Sequence, residues 1–186
     1  LKEANDAVII AHSLGGILSS TLVTDSGNKL WDTMFTVSPE EMQVKDKLAE
    51  RLRDEFIFEH LPSIKRVIYF SCPHRGAPEA GTGFMQWASG LISLPNELLG
   101  PDHAMRPYLR KDMRYKHFTV AQSLAPHNPV MEALADLQPA DGVIVHSIIG
   151  DKDQAGKKGG SDGLVPYWSS HVDYAESELI IHSGHS

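Results

Sequence analysis

Val8-Ile9-Ile10-Ala11-His12-Ser13-Leu14-Gly15-Gly16-Ile17-Leu18 is the stretch on which the fold turns. Apolar, mostly β-branched residues run without alternation into small residues around a serine. Leu14, Ile17, Leu18 and Leu22 then recur at helical spacing, with Gly27 as a stop. A buried strand, a sharp turn and a helix thus follow one another with no linker. Ser13 stands on a strand-to-helix elbow of the G-x-S-x-G type, with Ala11 in place of the first glycine. The turn is tight, so a large side chain two positions either side of the serine is expected to clash with the approaching backbones. Alanine is the smallest departure from glycine.

Outward from this elbow, three more runs read as buried strands: Arg66–Phe70, Val143–Ile149 and Glu178–Ile181. Near-continuous apolar runs of this kind are expected where a sheet is covered on both faces. Strands alternating with longer helical patterns predict an α/β protein with a mostly parallel sheet and flanking helices. Between the first two strands a second helix is expected to begin at Ser38-Pro39-Glu40-Glu41, where Ser38 and Glu41 have capping-box spacing. Its buried stripe would be Val44, Leu48, Leu52 and Phe56. The stretch from Gly76 to about Ala140 is long for a crossover. It carries Phe84, Met85, Trp87, Leu91, Ile92, Leu94, Leu98 and Leu99, then a basic polar patch at 106–116. A short helix opens at Asn128-Pro129 toward Leu137. The region at about 77–140 reads either as a lid or helical insertion over an apolar site, or as extra helices packed on the sheet.

The 186 residues suit one domain or part of a larger one. Hydrophobic residues at 41% and charged residues at 22% give enough apolar material for a core. A net charge of −7 argues against a non-specific nucleic-acid binder. The single cysteine, Cys72, excludes an internal disulfide and a multi-cysteine zinc site. No run approaches the roughly 20 apolar residues of a membrane span. The chain opens at Leu1 with a strand almost at once, so it is read as a fragment whose missing leader says nothing about compartment.

Serine is a poor nucleophile unless a base, itself oriented by an acid, takes its proton. On this kind of elbow the order along the chain is serine, acid, histidine, the last two on loops after later strands. His185 falls on the loop after the last strand, and His182 at the strand's end. For the acid, Asp162 in Ser161-Asp162-Gly163-Leu164-Val165-Pro166 is favoured, with Asp151 directly after its strand as the alternative. The backbone N–H of Leu14, at a helix N-terminus, is placed to stabilise a developing oxyanion. Asp151, Asp153, Gly156 and Asp162 also have calcium-loop spacing, but Ala155, Lys157 and Lys158 depart from that motif. No metal site is therefore assigned.

Ala-His-Ser-Leu-Gly-Gly, Ser71-Cys72-Pro73-His74-Arg75-Gly76, Ser161–His171 and Ser183-Gly184-His185-Ser186 together resemble the lipase/esterase branch of the α/β-hydrolases, in particular bacterial lipases and inositol-deacylase-like enzymes. Residues 25–65 and 80–120 carry no such motif. The resemblance implies an α/β-hydrolase fold of which this chain is the C-terminal half. It also implies ester hydrolysis through an acyl-enzyme with no metal or cofactor, and Ser13, Asp162 and His185 as the catalytic set. The second oxyanion donor would come from a loop upstream of the elbow. His74 is expected at a pocket rim and His171 near the acid loop. A small-molecule or lipid ester is the expected substrate, with interfacial lipid contact through the apolar 84–99 segment as a further expectation. The alternatives are a non-catalytic binding protein of the same fold and an acyltransferase or amidase using the same three residues.

Overall fold

Four parallel strands, in the order β1-β2-β3-β4, make the sheet of this computed structural model, which describes residues 6–44, 46–78, 105–111 and 128–185. They are β1 (Ala7–His12), β2 (Ile64–Phe70), β3 (Ile144–Gly150) and β4 (Ser177–Ile181). Each matches a sequence-predicted run to within two residues. Because all three pairings are parallel, every strand ends at the same edge. The residues that follow the strands therefore gather along one rim, the place where open α/β sheets bind ligands.

The helices among the described residues are α1 (Leu14–Ser20), α2 (Lys29–Met34), α3 (Asp46–Phe56), α4 (Pro129–Ala135) and α5 (Tyr167–Ser170). Helix α1 stops short of the expected Leu22. The Ser20 and Thr21 hydroxyls donate to the carbonyls of Ile17 and Leu18, both at 2.8 Å, and such local bonds compete with the helical ladder. The Ser38/Glu41 pair does form, with the Ser38 N–H donating to Glu41 Oε2 at 3.0 Å. It closes only the single 3₁₀ turn Pro39–Glu41, and the helix proper begins at Asp46. The expected stripe is nonetheless the buried one: Leu52 is fully buried, and Val44, Leu48 and Phe56 pack beside it. At α4 the Asn128 side chain accepts from the Val130 and Met131 amides, with Pro129 in the first turn.

Two cores result. Ala11, Val67, Tyr69 and Val145 line one face of the sheet and pack with Val23, Cys72 and Val172. Trp31, Met34, Phe35 and Leu52 form a second core with Met105 and Leu109. Within the expected basic patch only Leu109 turns inward among the described residues, bridging Phe35, while the exposed Arg110 donates through Nε to the Asp32 carbonyl at 2.5 Å. The apolar run 84–99 and most of the 77–140 region lie outside the described residues. Among the described residues the opposite sheet face is open rather than covered as the apolar runs predict. Val8, Ile10 and Leu179 project there at 54%, 70% and 56% exposure. Among the described residues no helix is long and apolar enough to cross a membrane.

The elbow packs against β2 through a glycine other than the one the motif stresses. A Cβ at Gly15 meets nothing within 4 Å, so the expected clash two positions after the serine does not occur there. A Cβ at Gly16 would lie 2.0 Å from Cys72 Sγ and 2.6 Å from its Cβ. Gly16→Ala must therefore push α1 off the sheet. Overpacking of this sort costs about 1–3 kcal/mol, or roughly 2–4 °C in Tm per kcal/mol for a chain this size. Thermal unfolding is expected to show that loss for Gly16→Ala and almost none for Gly15→Ala.

Candidate active site

Ser13 is held where the sequence places it, between β1 and α1. Its N–H donates to the Phe70 carbonyl at 2.9 Å, and its own carbonyl accepts from the Gly16 N–H at 2.9 Å. Its backbone sits at φ 54°, ψ −131°, a conformation that non-glycine residues rarely hold. Strain of this kind costs on the order of 1–3 kcal/mol and persists only when the surroundings enforce it. The result is a serine turned toward the rim, its hydroxyl oxygen 2.9 Å from His185 Nε2.

The other ring nitrogen of His185 meets Asp162. His185 Nδ1 lies 2.7 Å from Asp162 Oδ2, so with the carboxylate accepting, Nδ1 carries the proton and Nε2 is left to accept from Ser13. The Asp162 side chain is aimed by its own loop. Its Oδ1 accepts the Leu164 N–H at 2.9 Å and the Val165 N–H at 2.7 Å, and Gly163 takes the positive φ of 94° that the turn requires. Gly150 lets this loop press on the end of β3, since a Cβ there would stand 2.7 Å from the Asp162 Cβ. Burial alone raises the Asp162 carboxyl. The hydrogen bonds from His185, Val165 and Leu164 outweigh it and hold the group below the usual carboxylate range.

Asp151, the alternative acid, is turned elsewhere. Its two oxygens accept the Ala155 and Gly156 amides at 3.1 and 2.7 Å, which folds the loop after β3. The calcium-loop spacing also dissolves, because Asp151 faces backbone amides while Asp162 faces an imidazole.

His182, His74 and His171 take no part in the line from Ser13 through His185 to Asp162. His182 Nε2 donates to the Lys152 carbonyl at 2.9 Å, tying the end of β4 to the loop after β3. His74 is not on a rim: it is buried edge-on to Tyr69, and burial, with Arg75 nearby, pushes its pKa down to about 3. His171 stacks on Tyr167 and meets Glu178 through Nδ1 and Asp173 through Nε2 at 3.0 Å. The 72–76 and 166–171 segments are stitched together. Arg75 Nη1 donates to the His171 carbonyl at 2.5 Å, and Ser170 Oγ to the Cys72 carbonyl at 3.1 Å. This joint braces the loop that carries Asp162. Cys72 lies buried behind the elbow, and burial pushes its thiol up to about 12, leaving it protonated and inert.

One residue in the site has no counterpart among the sequence expectations. His12, the last residue of β1, has its Nε2 2.9 Å from the His185 carbonyl, and the two rings lie 4.9 Å apart between centroids. Its position beside Ser13 was visible, but a bond to a backbone atom 173 residues away leaves no local signal.

No family model matches the chain, and no curated protein matches its sequence. Among solved structures the chain is similar to the Bacillus licheniformis lipase BlEst2 in its mature form, at 15% identity and a TM-score of 0.42. The match covers 96% of this chain and 59% of that one, so the chain spans about three fifths of that lipase's length. At this score the likeness carries no argument, and the α/β architecture rests on the sheet itself.

Proposed function

We propose that this chain carries the catalytic residues of a serine hydrolase of α/β-hydrolase fold that cleaves carboxylic esters. One observation carries the reading: a hydrogen-bonded line from Ser13 Oγ through both ring nitrogens of His185 to a buried, ionised Asp162. In this mechanism Ser13 Oγ attacks the ester carbonyl while His185 Nε2 takes its proton. The tetrahedral intermediate collapses to a Ser13 acyl-enzyme, and His185 returns the proton to the leaving alcohol. Water then enters, deprotonated by the same nitrogen, and releases the acid. Asp162 holds the ring in the required tautomer and offsets the imidazolium that forms. The backbone N–H of Leu14, first in α1, supplies one oxyanion donor. That helix has only seven residues, so the amide itself rather than a long helix dipole is the operative group.

No described feature favours a binding protein over this reading. An acyltransferase or amidase would share the serine chemistry and differ in acceptor. The test is to quench the full-length protein during turnover of a short-chain p-nitrophenyl ester and map the peptides by mass. An acyl increment on the Ser13 peptide is expected, with free acid as the product. Partition to ester when an alcohol is added would assign a transferase instead. An increment on another residue, or none under conditions where ester is consumed, would remove the proposal.

A further inference from the structure

His185 stands beyond the last ladder residue of β4. The register of that strand ends at the Gly150–Ile181 pair, so the residues from His182 to His185 are off the sheet and irregular. A base that must meet a hydroxyl on one side and a carboxylate on the other needs its backbone fixed as well as its ring. Misplacement of about 1 Å in such an arrangement costs on the order of 10²-fold in rate. The structure provides a fixing point in β1. His12 Nε2 lies 2.9 Å from the His185 carbonyl oxygen, and because a carbonyl only accepts, that nitrogen carries the proton. The imidazole also covers one side of the His185 ring, 4.9 Å between centroids at an interplanar angle of 39°.

The placement is specific. His12 pairs with Phe70 at the last register position of β1, so its backbone is held by the sheet. It is also the immediate neighbour of Ser13, whose N–H is fixed to the Phe70 carbonyl. One rigid strand end therefore sets both the serine and, through the His12 side chain, the backbone of the histidine that serves it.

We infer that His12 is a positioning residue for the base, using its Nε2–H to clamp the His185 carbonyl so that the base loop and the nucleophile move as one unit. This deepens the hydrolase reading and rests on it for its kinetic part.

Two variants separate the clamp from simple packing. His12→Phe keeps a ring against His185 and removes the donor. His12→Gln removes the ring and places an amide N–H near the same point. The expected kinetic result for His12→Phe is a fall in kcat of about 10–100-fold with KM within about two-fold. His12→Gln is expected to recover to within about three-fold of the parent. The second readout does not need turnover. The His185 Nδ1 proton, shared with Asp162, is expected as a low-field proton NMR line that Asp162→Asn abolishes. That line should persist in the parent and in His12→Gln, and broaden through solvent exchange in His12→Phe. An unaltered line in His12→Phe, or a kcat equal to the parent's, overturns the clamp. So does a loss confined to His12→Gln, which would mark the ring packing as the whole effect. A line lost only in His12→Phe, in a parent that hydrolyses no ester, would keep the clamp and overturn the esterase reading.

Discussion

Replacing Ser13 by alanine is expected to abolish ester turnover, with a loss on the order of 10⁶-fold in kcat. It should also abolish labelling by a fluorophosphonate probe in the full-length protein. The magnitude follows from the geometry. Only one hydroxyl in the described structure has an imidazole nitrogen at 2.9 Å that is itself aligned by a buried carboxylate. Removing that oxygen leaves the base and the acid with nothing to activate. The fold should be little affected, because the Ser13 contacts that hold the elbow are made by its backbone. Ser71 makes the comparison sharp. It also ends a strand, also takes a positive φ (44°), and is buried, but its hydroxyl accepts the Gly150 N–H at 3.2 Å and faces no histidine. Ser71→Ala should keep probe labelling intact. Labelling that survived Ser13→Ala, or that moved with Ser71, would sink the assignment of the nucleophile.

Much of this was written locally and could be read locally. The elbow was legible because a strand, small residues and a helical repeat are contiguous, and the strands because β-branched runs are short and bounded. Helix α2 was not, since the sequence Asn28-Lys29-Leu30 offers no strong start and Asn28 makes no side-chain cap. The sequence predicts one helix from Ser38 because a capping box looks the same before a 3₁₀ turn as before a long helix. The second motif glycine is free for a tertiary reason: the packing constraint falls on Gly16, which meets Cys72 just past the end of β2. Likewise the sequence does not say which carboxylate the local amides claim. Two backbone N–H groups take both oxygens of Asp151, whereas those at Leu164 and Val165 take one oxygen of Asp162 and leave the other for His185. A run of isoleucines does not say which neighbour covers it, and the described residues leave one sheet face open.

Asp162→Asn carries the second large effect and tests the acid separately from the nucleophile. In the variant the amide oxygen can keep the Leu164 and Val165 N–H bonds, which places the NH₂ group against His185 Nδ1. Two donors cannot share that contact, so the ring must expose Nδ1 as an acceptor and move its proton to Nε2, the nitrogen that faced Ser13. The base is then in the wrong tautomer. A fall in kcat of about 10⁴-fold with little change in KM is expected, while covalent capture by a highly reactive phosphonate persists at a reduced rate. The stability comparison has a definite sign. Because hydrogen bonds from His185, Val165 and Leu164 hold the folded carboxyl below its unfolded value, ionisation at Asp162 stabilises the fold above the unfolded pKa of about 3.9. That stabilisation is lost as pH falls through the depressed folded value. The parent should therefore melt above the Asn variant near neutrality, and the gap should close in acid, below about pH 4. A gap that widened in acid would mean the folded carboxyl is raised rather than lowered. Retention of kcat within ten-fold in Asp162→Asn, with a collapse in Asp151→Asn, would transfer the acid's role to the loop after β3, and the line from Ser13 through His185 would then end on a group that only shapes the turn.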